Sequence, residues 1–222
     1  MNKHYFIIGD VHGCLKTFQE LVHRYWNKDK EILIQLGDLI DRGAYSPQTI
    51  QYCMDLEVTY PGLTLFLKGN HEQMLLDYYD NIASSWWNNG GRETIIQFES
   101  ANLDIKDYLP WIRKNRLLYE NRNIFVSHAG WSHNAKGIPD DRHPNGLLWN
   151  RSKLKNLGKL QVIGHTPLTS GIPSYNPESN SLNIDTGAYK GICLSGIKID
   201  VNGKILQHCS VPSMIEDLIE SN

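Results

Sequence analysis

The chain has 222 residues, of which 41% are hydrophobic and 21% charged, and its formal net charge is -2 at pH 7. That length can bury a substantial core in one large domain or two small ones. The near-neutral balance carries no footprint for nucleic acid or an anionic membrane, and no apolar run approaches a membrane span. The N-terminus leads straight into a strand pattern without a signal-peptide core. Cys14, Cys53, Cys193 and Cys209 show neither CxxC spacing nor a disulfide pattern, so a soluble, cytoplasmic protein is expected.

In chain order, Tyr5 to Ile8, Ile32 to Leu36 and Leu63 to Leu67 are apolar runs that read as buried strands. Between the first two, Leu15, Phe18, Leu21, Val22 and Tyr25 recur at helical spacing, and the charged stretch Lys28 to Glu31 reads as a solvated turn. Ser46-Pro47 predicts an N-cap followed by proline at the first helical position, with Ile50, Cys53 and Met54 as the inner face. Pro61-Gly62 closes that unit, and a further helix is expected from Glu72 to Leu76. From Asp77 to Arg122 no strand runs occur. We expect short helices around Trp86 to Gly91, with Pro110 breaking the last segment: a helical insertion at about 77–122 beside the active edge, within a single domain 1–222.

Strand signals resume at Ile124 to Val126, and a polar loop follows up to Leu147-Leu148-Trp149-Asn150-Arg151. Val162-Ile163 and Leu182 to Ile184 read as strands. A hairpin is expected from Ile192 to Val201 and Lys204 to His208 around Asn202-Gly203. Early βαβ units followed by antiparallel strands predict a mixed α/β fold.

The chemistry-bearing residues sit where strands end. Gly9-Asp10-Val11-His12-Gly13, Gly37-Asp38-Leu39-Ile40-Asp41-Arg42-Gly43 and Gly69-Asn70-His71-Glu72 follow the first three strands. His128 and His165 follow two later ones. Strand ends of open α/β sheets converge on one edge, where such folds place their ligands. One Gly-Asp turn alone reads as a cap or tight turn, but five strand ends carrying potential ligands are hard to produce by turn chemistry. Hard oxygens mixed with imidazole suit Mn, Fe or Zn. The set divides into one metal site of Asp10, His12 and Asp38, and a second of Asp38, Asn70, His128 and His165, with Asp38 bridging. Two cations about 3.5–4 Å apart can clamp an in-line displacement at phosphorus. His71 is the candidate general acid, oriented by Asp41, and Arg42 and Arg151 can grip phosphate oxygens with planar forks. His4, His23, His133, His143 and His208 lack this context. Glu72 is expected in a first helical turn, where the helix dipole favours it. Trp86 and Trp87 are expected to anchor their loop onto the core.

In these motifs the chain resembles the phosphoprotein-phosphatase-type metallophosphoesterases, and among them the small bacterial and phage serine/threonine phosphatases of the lambda phosphatase type. Further matches are the Trp-x-x-Asn-Gly-Gly of Trp86 to Gly91, Leu148 to Ser152, Gly164-His165-Thr166-Pro167-Leu168 and Ile184-Asp185-Thr186-Gly187-Ala188. The resemblance implies a four-layer β-sandwich flanked by helices and two metal ions, commonly manganese. It also implies direct attack on phosphoserine or phosphothreonine by a metal-bridging hydroxide, without a phosphoenzyme. It carries the metal ligands, the acid pair and the phosphate-binding arginines onto the residues named above. The competing resemblance is to symmetrical diadenosine tetraphosphate hydrolases. That group is longer, usually has alanine at the Asp41 position and has aspartate at the Glu72 position. The cations of 77–122 are offset by acids, so no polyphosphate track is expected there.

Overall fold

The computed structural model describes residues 3–135 and 142–219. In chain order its strands are β1 (His4–Ile8), β2 (Glu31–Gln35), β3 (Thr64–Phe66), β4 (Leu118–Glu120), β5 (Ile124–Ser127), β6 (Leu160–Ile163), β7 (Ser174–Asn176), β8 (Ser181–Asn183), β9 (Cys193–Ile199) and β10 (Ile205–Pro212). The α-helices are α1 (Leu15–Tyr25), α2 (Ser46–Thr59), α3 (Asn70–Tyr79), α4 (Gly91–Ser100) and α5 (Leu109–Lys114). The strands form two five-stranded sheets, ordered β10-β9-β1-β2-β3 and β4-β5-β6-β8-β7. β1, β2 and β3 are parallel, as are β5, β6 and β8, while β9 runs antiparallel to β1.

Period-two alternation explains the layering. Tyr5 and Ile7 of β1 join Ile34, Ile124, Val126, Val162 and Leu182 in a core between the sheets. Their neighbours Phe6 and Ile8 join Phe18, Leu21, Ile50 and Leu75 in a second core, under the helices. Both faces of β1 are therefore covered, which is why it reads as a continuous apolar run. Ile7 is fully buried, and trimming it to alanine is expected to cost about 2–5 kcal/mol. On the second sheet, Phe125 packs edge-on against Trp131 of the following loop, whose backbone N–H donates to Gln161 Oε1 at 3.1 Å.

Several local expectations differ from the structure. β4 and β7 are three-residue edge strands, partly or wholly exposed, so neither has an apolar run to announce it. β4 also puts a strand inside the stretch 77–122. Pro110 sits in the first turn of α5 instead of breaking it, where a missing N–H costs nothing. The cap of α2 is Tyr45, and Ser46 Oγ instead accepts from the backbone N–H of Asp41 at 3.0 Å. Residues 136–141 of the expected polar loop lie outside the described residues. The β9–β10 hairpin turns at Asp200 to Gly203, with Gly203 at φ 85°.

Candidate active site

The C-terminal ends of β1, β2, β3, β5 and β6 bring the predicted site residues to one edge. Gln35, which the sequence did not mark, and Glu72, expected only in a first helical turn, hold the first three loops in register. Gln35, fully buried, accepts from Gly37 N–H at 2.9 Å and donates to the carbonyls of Gly9 and Gly37 at 3.2 and 2.7 Å. Glu72 does more than complement a helix dipole. Its carboxylate accepts from Asp38, Leu39 and Gly69 N–H at 2.7–2.8 Å, bracing the second motif against the third. The loops approach so closely that a Cβ on Gly37 would lie 2.2 Å from Gly69 N. His12, Asp38, Asp41, Arg42 and His165 all adopt positive φ. Non-glycine residues hold that conformation only where surrounding contacts over-determine it.

Asp38 stands at the centre. Its Oδ1 accepts from His71 N–H at 3.0 Å, and its Oδ2 lies 3.4 Å from both His12 Nε2 and His128 Nε2 and 4.0 Å from His71 Nε2. His12 Nδ1 donates to Ile40 O at 2.9 Å and His128 Nδ1 to Leu36 O at 3.1 Å. A carbonyl can only accept, so both rings turn Nε2 towards the site, the arrangement by which metal-ligating imidazoles are held. Asn70 Oδ1 lies 2.9 Å from His128 Nε2 and 2.8 Å from His165 Nδ1. Asp10 Oδ2 accepts from His165 N–H at 2.9 Å. Its Oδ1 and His165 Nε2 are buried without a hydrogen-bond partner. Donor atoms of His12, Asp38 and His71 lie within 4.8 Å of one another, as do those of Asp38, His128 and His165.

The electrostatics fit an edge completed by cations. Burial, then Asp185, raises the Asp10 carboxyl well above its ordinary range. Asp185, named from sequence only within the Ile184 to Ala188 match and not as a site residue, is pushed up to about 6 by burial, with Asp38 adding to it. Burial disfavours charge on Asp38 too, yet the imidazoles of His128, His71 and His12 hold it well below the usual carboxylate range. Burial also works against a charged His128, but Asp38 and Asp10 lift it to about 9. Burial and then His128 lower His165 to about 3. A divalent cation would offset the buried carboxylates and take the place of the proton that Asp38 and Asp10 favour on His128. The orphaned Asp10 and His165 atoms and the oxygen–imidazole donor set therefore fit divalent metal.

Beside this cluster, His71 Nδ1 donates to Asp41 Oδ2 at 2.6 Å, with both side chains buried. Trp86 Nε1 donates across the Asp41 oxygens at 3.2 and 3.0 Å, and Thr94 Oγ1 donates to Oδ1 at 2.6 Å. Trp86, fully buried, is thus an anchor as expected and also a donor to Asp41, whereas Trp87 is exposed. Arg42 donates to His12 Nε2 at 3.1 Å and stacks over Tyr189, 4.6 Å from the ring centroid. Tyr189 also packs edge-on against His12. Arg151 is exposed beside the site and donates to Thr166 Oγ1 at 3.3 Å. Tyr189 and Thr94 carried no signal of their own beyond lying beside strand-end and Gly-rich motifs, and for Trp86 only the anchoring, not the bond to Asp41, was expected.

Comparison with known proteins places this geometry. The profile of calcineurin-like phosphoesterases matches residues 4–194. The asymmetrical bis(5'-nucleosyl)-tetraphosphatase of Bacillus cereus is 26% identical, with 95% of each chain covered. Serine/threonine-protein phosphatase 1 of Salmonella typhimurium is 28% identical over 85% of this chain and 88% of its own. A protein serine/threonine phosphatase structure from Saccharomyces cerevisiae superposes with a TM-score of 0.69 at 16% identity, covering 93% of this chain and 75% of that one. Length does not separate the chain from the asymmetrical tetraphosphatases. With clustered histidines and aspartates at the ends of its parallel strands and the family profile spanning most of its length, the chain belongs to the calcineurin-like phosphoesterases.

Proposed function

We propose that this metallophosphoesterase is a phosphomonoesterase that removes phosphate from phosphoserine and phosphothreonine in proteins. The observation that carries the reading is the buried His71–Asp41 pair, 2.6 Å apart, with Trp86 and Thr94 also donating to Asp41. A serine or threonine alkoxide is a poor leaving group and needs a proton as the P–O bond breaks. A phosphate leaving group, as in dinucleoside polyphosphate cleavage, needs it far less. A general acid held this firmly has most to contribute to the first reaction.

In this reading Asp10, His12 and Asp38 hold one divalent cation, and Asp38, Asn70, His128 and His165 the other. When bound, the cations supply Lewis acidity at phosphorus and an acidified water at neutral pH; manganese, iron and zinc all suit the donor set. Asp41 keeps the His71 ring oriented with Nε2 facing the cluster, where a proton can be passed to the departing oxygen. Arg42 and Arg151 flank the edge and offer planar forks to non-bridging phosphate oxygens. The second reading is nucleotide hydrolysis, favoured by full-length similarity to the asymmetrical tetraphosphatase.

Relative kcat/KM on metal-defined protein separates the two. Phosphoserine or phosphothreonine peptides are expected to exceed diadenosine tetraphosphate. A reversal by tenfold or more, about 1.4 kcal/mol in transition-state binding, overturns the protein-phosphatase reading in favour of nucleotide hydrolysis. None of the helices among the described residues is long and apolar enough to cross a membrane; we place the protein and its phosphoprotein substrates in the cytoplasm.

A further inference from the structure

Helix α1 begins directly after the first motif, yet its cap residue Cys14 makes no side-chain capping bond. The cap comes from the other end of the sequence. Asp217, fully buried, accepts from Lys16 N–H at 2.9 Å with Oδ1, and from Thr17 N–H and Oγ1–H at 2.7 and 2.6 Å with Oδ2. Thr17 Oγ1 in turn accepts from Met214 N–H at 2.9 Å. The carboxylate thus satisfies two orphan amides at the positive end of α1.

The same segment holds two other parts of the active edge. Asp217 O accepts from Ala44 N–H at 2.9 Å, and Leu218 bridges Gly43, so residues 217–218 lie along the end of the loop that carries Asp41 and Arg42. Ser213 Oγ donates to Ala188 O at 2.7 Å, next to Tyr189, on whose ring Arg42 stacks. Gly43 itself is wedged against the first motif: a Cβ there would meet His12 O at 2.1 Å. Segment 213–218 is therefore fastened to the start of α1, the loop after Arg42 and the turn beneath the Arg42 guanidinium. These are the surroundings that can keep Arg42 at φ 71°.

We propose that Asp217 is a positioning residue for the phosphate grip: it fixes segment 213–218 as a strap that holds Arg42 at the site. The proposal rests on the reading of Arg42 as a phosphate-binding cation. Asp217 touches neither substrate nor cation and acts through the Gly43–Ala44 backbone and Tyr189. Replacing it with asparagine trades one acceptor oxygen for an NH2 group facing amide donors, which loosens the strap without leaving a cavity. A misplacement of 1 Å from outside the chemistry can cost up to about 10²-fold, so a loss of about tenfold is expected.

The test uses the metal-loaded full chain, para-nitrophenyl phosphate as substrate and inorganic phosphate as inhibitor, in wild type, Asp217→Asn, Arg42→Ala and the double variant. Asp217→Asn is expected to raise KM and the phosphate inhibition constant about tenfold with metal content unchanged. It should add little further in the Arg42→Ala background, because the two changes remove one function. Equal losses in both backgrounds would reduce Asp217 to a general stabiliser and overturn the proposal. If Arg42→Ala weakens phosphate inhibition and Asp217→Asn does not, the strap fails while the functional reading stands. If Arg42→Ala leaves phosphate inhibition unchanged, the assignment of Arg42 falls and the strap falls with it. Should Asp217→Asn not fold, Ser213→Ala carries the same test, since it removes only the bond to Ala188. It is then expected to shift phosphate inhibition in the same direction by a smaller factor, and no shift overturns the proposal.

Discussion

The His71–Asp41 pair and the cluster of candidate metal ligands beside it are built differently. On the side of His71, the protein itself satisfies the polar groups: Asp41 receives His71, Trp86 and Thr94, and each donor comes from a different helical segment. In the cluster of candidate metal ligands, by contrast, Asp10 Oδ1 and His165 Nε2 are buried without partners, and His12 and His128 stand 3.4 Å from Asp38, too far for a strong hydrogen bond. Burying an unpaired polar atom costs about 1–3 kcal/mol, so an edge with such orphans is incomplete as protein alone. The difference teaches which part of the site is preorganised by the fold and which awaits a cation.

The sharpest break in that contrast is Asp38→Asn. As the residue shared by both clusters, Asp38 should carry both metals, so elemental analysis is expected to show loss of both and activity to fall by about 10³-fold or more. His165→Asn should weaken mainly one. Full metal content with normal activity in Asp38→Asn would remove it from the bridging position. The next largest effect is His71→Asn, expected to lower kcat by about 10²–10⁴-fold while metal content stays near normal. Co-loss of metal would move His71 from the acid side to the ligand side, where its distance of 4.0 Å from Asp38 also allows it to stand.

A smaller effect is expected at Trp86. Trp86→Phe keeps a large aromatic in the buried site but deletes the indole donor to Asp41. One hydrogen bond to a charged acceptor is worth about 1.5–3 kcal/mol, so kcat is expected to drop by about 10- to 10²-fold. Steady-state kinetics with bound metal held constant checks this, and an unchanged kcat would mean Thr94 and His71 suffice to fix Asp41. Smallest of all should be Arg151→Ala. The side chain is exposed, so screening weakens its hold, and a several-fold loss in kcat/KM with weaker phosphate inhibition is expected. Unchanged phosphate inhibition would take Arg151 out of the site.

Much of this was legible in the sequence because the strands that carry the site are buried on both faces and their ends are marked by glycine-bounded polar motifs. β1, β2 and β5 announce themselves as apolar runs, and His128 and His165 follow directly from their strands. β4 and β7 were not legible because edge strands this short and exposed are made by pairing, not by an apolar pattern. Gln35, Glu72 and Asp217 are harder still. Glu72 and Asp217 satisfy backbone groups more than 30 and about 200 positions away, and Gln35 donates to Gly9 O 26 positions away; no local spacing encodes such partners. Trp86 lay in a noticed motif, but only the fold reveals that its indole reaches Asp41.

If the His71–Asp41 pair serves a poor leaving group, the rate must depend on that leaving group in a particular way. Metal-replete wild type and His71→Asn would be compared across a series of phosphate esters running from para-nitrophenyl to alkyl. The loss in kcat is expected to grow steadily as the leaving group becomes more basic, small for para-nitrophenyl phosphate and largest for the serine-like alkyl esters. An equal loss across the series, with metal content intact, would contradict it: His71 would then not be the acid, and the case for a protein phosphatase would lose its main support.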